Sequence, residues 1–144
     1  MKKEIRIISS DAMILLGEKI GKMLNANMLI TLEGDLGAGK TTFTKGIARG
    51  LGIKAIVNSP TFTILKIYEG RLKLYHLDVY RVDENDFELA EYFEDDGVAV
   101  VEWANNIKGL LPNERLDISI KDLGNDERIV SICSDAKEYQ RIIE

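Results

Sequence analysis

Residues 34–41 read Gly34-Asp35-Leu36-Gly37-Ala38-Gly39-Lys40-Thr41, a complete match to G-x-x-x-x-G-K-[ST]. The match restricts the fold through its surroundings. "NMLITLEG" before it is a compact apolar run, suited to a buried parallel strand, and "KTTFTKGIARGLG" after it has a helical pattern that stops near Gly50 or Gly52. Glycines permit positive φ, so successive amides can turn inward, and the following helix points its positive end at the same spot. Lys40 adds a mobile positive charge for β and γ phosphates, and the Thr41 hydroxyl can ligate magnesium. The stretch is therefore expected to wrap a nucleoside triphosphate tail.

The rest of the chain supports an α/β reading. "KEIRII" is a short strand, and Ser9 or Ser10 can cap the helix of "SSDAMILLGEKIGKML", where Ile14, Leu15, Ile20, Met23 and Leu24 recur at helical spacing. "IVNSPTFTILKIY" begins as a loop and becomes a strand after Pro60. "RLKLYHLDVYR" is a second strand, and with only Glu69-Gly70 between them the two form a hairpin. "ENDFELAEYFED" reads as a short acidic helix, "GVAVVEW" as an apolar strand, "RLDISIKD" and "ERIVSIC" as an antiparallel pair, and "AKEYQRIIE" as a closing helix. Alternation early and strands late predict a three-layer α/β fold with a mixed, centrally parallel β-sheet flanked by helices. The 144 residues fit one domain spanning 1–144.

Composition narrows the function. With 19 basic and 24 acidic residues the formal charge is −5, which argues against non-specific polyanion binding as the main activity. Cys133 is the only cysteine, so no intrachain disulfide forms, and it is expected as a small buried residue on a strand. A lone thiol and no signal-like segment point to the cytoplasm. No apolar stretch approaches the ~18 residues that span a bilayer.

A phosphate loop needs a second acid to hydrolyse anything. Asp78 ends "LYHLD" and Glu102 ends "VAVVE"; if those strands run parallel to the one before the loop, both acids reach the same edge as Lys40 and Thr41. Thr61 and Thr63 in "SPTFT" fit either a γ-phosphate-sensing loop or ordinary strand chemistry. Trp103, the sole tryptophan, follows Glu102 and either lies against a nucleotide or buries itself. His76, the sole histidine, alternates with Leu72 and Leu74 and reads as a packed rather than a catalytic residue. There is no N-K-x-D run to read guanine, and no arginine-rich lid of the kind a small-molecule kinase needs; Arg71, Arg81, Arg115 and Arg128 are scattered.

"GDLGAGKTTFTKGIARGLG", "SPTFTI", "YHLDVYR" and "VVEW", in that order and spacing, resemble the bacterial ATPase family of tRNA threonylcarbamoyladenosine synthesis, the TsaE or YjeE family, over about Ser9 to Arg128. The resemblance implies a P-loop NTPase-like domain that binds and hydrolyses ATP with magnesium held by Thr41 and Glu102. It places Asp78 on the attacking water or metal shell, with Lys40 and Thr61 as its catalytic companions. It implies nucleotide contacts from the loop itself (Gly34, Asp35, Leu36, Gly37, Ala38, Gly39, Lys40, Thr41, Thr42) and from Ser10, Trp103 and Arg128. The implied partners are the two proteins of the threonylcarbamoyl-transferase complex, a catalytic subunit and its non-catalytic relative. tRNA, modified next to the anticodon, is an indirect partner, and no DNA or membrane is implied. Turnover alone is expected to be slow, because no arginine finger is evident. A small-molecule kinase and a nucleotide-gated binding module without hydrolysis remain the alternatives.

Overall fold

The computed structural model describes residues 1–35, 37–58, 64–93 and 95–144, the side chain of Phe87 excepted. Its elements run β1 (Lys2–Ile7), α1 (Ser10–Met23), β2 (Leu29–Gly34), α2 (Lys40–Gly50), β3 (Leu65–Tyr68), β4 (Leu74–Asp78), β5 (Val98–Glu102), β6 (Leu116–Gly124), β7 (Glu127–Cys133) and α3 (Gln140–Ile143). Among the described residues, 3₁₀ segments lie at Phe87–Phe93, Ala104–Leu110 and Lys137–Tyr139.

The strands form one sheet in the order β1-β7-β6-β2-β5-β4-β3. β2 pairs in parallel with β5 and β6, and β5 in parallel with β4. The outer pairs β3–β4, β6–β7 and β1–β7 are antiparallel. This is the expected mixed sheet with a parallel centre, and it follows from residue pattern. β5 is buried at every position and β2 at its first four, as strands covered on both faces must be. β6 instead alternates, with Leu116, Ile118 and Ile120 buried and Asp117, Ser119 and Lys121 turned the other way.

One face carries α1 and α2, whose Ile20, Phe43 and Ile47 join Ile30, Leu32, Val100 and Ile118 in the larger core. The opposite face is covered over β2, β5 and β4 by the segments Phe87–Phe93 and Ala104–Leu110, through Phe93 and Ile107 against Tyr75, Leu77 and Val101. Over β6 and β7 that face stays polar, and an open cleft of about 380 Å³ includes Asp117, Ser119, Ser131 and Cys133 in its lining.

Several details differ from expectation. Five residues, not two, join β3 to β4, because β4 begins only at Leu74; Leu72 leaves the ladder and packs against the helix-side core. The acidic helix is a 3₁₀ segment: Phe87–Phe93 is too short for α-helix propagation to offset nucleation, and Leu89, Ala90 and Phe93 are drawn onto the sheet. Ala104–Leu110 has no counterpart among the expected elements. Cys133 is half-buried rather than fully buried, because it sits on the uncovered polar face. Of the two serines expected to cap α1, Ser9 does so, its Oγ accepting from Ala12 N at 3.1 Å.

α1 and α2 cross through Gly17, Gly21, Gly46 and Gly50, at spacings that put each pair on one helix face. A Cβ on Gly46 would lie 2.3 Å from the Ile14 carbonyl oxygen, and one on Gly17 would lie 2.5 Å from that of Phe43. These are backbone atoms, so accommodation requires the helices to separate. Gly46→Ala is expected to destabilise by about 1–3 kcal/mol and to lower Tm by roughly 3–10 °C, read by thermal unfolding.

At the chain's end Tyr139 is buried, and its hydroxyl accepts from Leu29 N at 2.8 Å, tying the last helical turns to the start of β2. Burial pushes the Tyr139 phenol up from 10.0 to about 12. The hydrogen bond to Asp95 raises Tyr75 to about 12 as well. An unfolded tyrosine loses its proton near pH 10 while these keep theirs, so above that pH the folded state binds more protons. Stability is therefore expected to fall as pH rises from about 10 to about 12, and Tyr139→Phe to make that fall shallower. An unchanged alkaline slope in denaturant titrations of the variant would contradict the assignment.

Candidate functional site

The loop between β2 and α2 has the geometry its residue types suggested. Gly37 (φ +83) and Gly39 (φ +112) are left-handed, where a Cβ is disfavoured, and Ala38 N donates to Asp35 O at 3.0 Å to close the turn. Gly39 is the N-cap of α2 and offers no side chain, so no cap competes for the first-turn amides. Those amides and the positive end of the helix are free to meet an anion. Arg128 on β7 donates from Nε to Ala38 O at 2.9 Å and pairs with Asp122 at 3.1 Å, which fixes the outer side of the loop.

Asp78 and Glu102 both end parallel strands at the carboxyl edge, and their Cα atoms are register partners; Glu102 is also opposite Leu32 of β2. The two acids then diverge. Glu102 is only 3% exposed, and its Oε1 faces Lys40 Nζ at 3.6 Å; Lys40 itself is 8% exposed. Asp78 is half-buried, and its Oδ1 accepts from Tyr80 N at 3.0 Å, closing its own turn. A backbone bond from Val79 N to Glu102 O at 3.1 Å holds the two strand ends together.

Trp103 turns the chain sharply after Glu102, with φ +61 in the left-handed region that a bulky residue rarely adopts. Its ring lies 4.8 Å from Lys40 Nζ and meets Tyr80 edge-on at 4.9 Å. Trp103 is half-buried: it contacts the loop lysine and also packs at the margin of the second core.

Two contributors were not assigned from sequence. Glu33, near the end of β2, accepts from Ala104 N at 3.0 Å and caps the segment that Trp103 opens. Burial pushes its carboxyl up, against the opposing pull of the Ala104 and Asn105 amides and of Lys40. His76 is buried on the face shared with Leu74, as alternation implied, but its Nε2 lies 2.7 Å from Glu102 Oε2. Its position two residues before the strand-ending Asp78 was the available signal.

A cleft of about 300 Å³ opens beside the loop, lined by Ser9, Ser10, Met13, Gly37, Gly39, Thr42 and Arg128 among others. It joins the first turn of α1 to the start of β7, so Ser10, Thr42 and Arg128 are brought together around one cavity. Lys40, Glu102 and Trp103 form a second group at the strand edge. Thr41 is half-buried in the first turn of α2. Thr61 and Leu36 lie outside the described residues.

Residues 7–130 match the family model described as "Threonylcarbamoyl adenosine biosynthesis protein TsaE". The chain is 56% identical over 119 residues to the tRNA threonylcarbamoyladenosine biosynthesis protein TsaE of Bacillus subtilis, covering 81% of this chain and 75% of that one. It is 41% identical to the protein of the same name from Treponema pallidum, over 81% of this chain and 90% of the relative. For the protein of that name from Haemophilus influenzae the identity is 32%, over 92% and 89%. The crystal structure of Bacillus subtilis YdiB superposes with a TM-score of 0.89 at 43% identity, covering 99% of this chain and 91% of that one. A glycine-rich loop between a parallel strand and a helix, two strand-end acids and a match over most of the length lead to one conclusion: the chain belongs to the TsaE family of threonylcarbamoyladenosine biosynthesis proteins.

Proposed function

We propose that the chain is the magnesium-dependent ATPase of tRNA threonylcarbamoyladenosine formation, acting as a single unit on a two-protein threonylcarbamoyl-transferase complex in the cytoplasm. The observation that carries the reading is the buried Lys40–Glu102 pair at the mouth of the phosphate loop. A lysine held at 3.6 Å, beyond ordinary hydrogen-bond contact, is not fully satisfied by its carboxylate. A phosphate arriving on the loop amides gives Lys40 a stronger partner and releases Oε1 of Glu102.

The released oxygen and the Thr41 hydroxyl are the donors for magnesium, with Asp78 at the neighbouring strand end. All three groups are hard oxygen ligands, and among the described residues no cluster of three or more His, Cys, Asp or Glu could hold a metal alone. That donor set fits an ion that keeps several waters and completes its shell with substrate phosphates. When bound, magnesium neutralises charge on the β and γ phosphates. The protein's own residues do the rest. Loop amides and Lys40 orient the phosphates, the cleft beside Ser10, Thr42 and Arg128 receives the nucleoside, and Asp78 positions water. Thr61, from the segment after Pro60, is the γ-phosphate contact. Trp103, stacked on Lys40, registers the exchange of the lysine's partners.

Two measurements test this. Phosphate release should be slow for the chain alone, below ~1 per second, and should rise when the two transferase proteins are added; Glu102→Ala should remove the magnesium-dependent part. A phosphorylated metabolite instead of free phosphate would make it a kinase. Nucleotide binding without release in any mixture would make it a gated binding module. Glu33→Ala, which uncaps the Trp103 turn, is expected to cost about 1 kcal/mol and to shift the emission of the sole tryptophan to longer wavelength.

A further inference from the structure

The mechanism proposed above uses one oxygen of Glu102, and the structure accounts for the other. Glu102 Oε2 is 2.7 Å from His76 Nε2, and His76 is fully buried. His76 and Glu102 stand on neighbouring parallel strands, with His76 opposite Val100, so the contact runs diagonally along the same sheet face. The hydrogen bond is too short to lack a proton between the two atoms. With the carboxylate charged beside Lys40, that proton sits on Nε2. The remaining ring nitrogen, Nδ1, is buried and has no partner among the described residues. A hydrogen on Nδ1 would be a buried donor with no acceptor among the described residues, so the short bond to Glu102 is the place for the ring N–H.

We propose that His76 is a positioning residue for Glu102: as the Nε2–H tautomer it holds Oε2 and turns Oε1 toward Lys40 and the phosphate loop. A glutamate at a strand end has three rotatable bonds, and rotating its carboxylate would carry Oε1 away from the loop. Pinning one oxygen removes that freedom before a nucleotide or cation arrives, as second-layer partners of ligating groups do elsewhere. The inference rests on the assignment of Glu102 as the metal ligand.

His76 is the only histidine in the chain, so its ring nitrogens can be read without assignment ambiguity. Long-range ¹H–¹⁵N correlation on the intact, unliganded protein at neutral pH should show the Nε2–H tautomer alone. In parallel, the affinity for magnesium of the protein saturated with a non-hydrolysable ATP analogue should be measured for the wild type, His76→Leu, His76→Gln and Glu102→Ala. The Gln side-chain amide can donate from the place of Nε2; Leu fills space and cannot. His76→Leu is expected to lose about tenfold or more in magnesium affinity, with nucleotide affinity in the absence of metal changed far less, and His76→Gln to recover most of the loss. An Nδ1–H tautomer, or equal affinities for the Leu and Gln variants, overturns the inference, and the tautomer result stands even if the Leu variant fails to fold. A magnesium affinity that falls in Glu102→Ala but not in His76→Leu overturns this inference alone. One unchanged by Glu102→Ala overturns the metal assignment on which it rests.

Discussion

Removing Lys40 and Glu102 from water is the constraint on which the site depends. Each charge pays heavily for leaving solvent and is tolerable only because it finds compensation nearby. Lys40 has the Glu102 carboxylate on one side and the face of Trp103 on another. Glu102 has Lys40 and His76. Neither residue can be understood alone, and the elements that deliver them (α2, β4, β5 and the turn at Trp103) must all be in register for the arrangement to exist. The parallel centre of the sheet supplies that register, since it brings the ends of β2, β4 and β5 to one edge.

The fold was legible where residue pattern and local chemistry agree. The apolar runs of β2 and β5, the positive-φ glycines Gly37 and Gly39 and the alternation in β6 carry local signals that the packed structure keeps. Where tertiary packing decides, the sequence was mute or misleading. The acidic stretch ending in Phe93 has helix-like spacing yet is too short to sustain a helix and instead lies on the sheet as 3₁₀ turns. The segment Ala104–Leu110 carries no strong local signal; it exists because Glu33 caps it from a different strand and Ile107 fills the second core.

The candidate site was readable in part for the same reason. Lys40, Glu102 and Asp78 announce themselves by loop motif and strand end, and parallel pairing did the rest. His76 and Glu33 act through contacts between strands, and neither has a motif. Alternation correctly assigned His76 to the interior, but alternation reports the face a side chain occupies and says nothing of what waits on the neighbouring strand. Asp78 and Glu102 look equivalent in sequence. Only burial separates them, one closed over by Lys40 and His76 and the other bonded to its own exposed turn.

The bare-backbone crossing of α1 and α2 has a mechanical outcome for the cleft. The first turn of α1 provides one wall and the first turn of α2 another, and main chain meets main chain at Gly17, Gly21, Gly46 and Gly50 with no side chains between to act as bearings. Two rods seated that tightly move as one. The close crossing therefore limits how far the walls carrying Ser10 and Thr42 can move apart. Any widening or tightening of the cavity falls to its other borders: Ile8 and Ser9 before α1, the loop at Gly37 and Ala38, and Asp126 and Arg128 where β6 turns into β7.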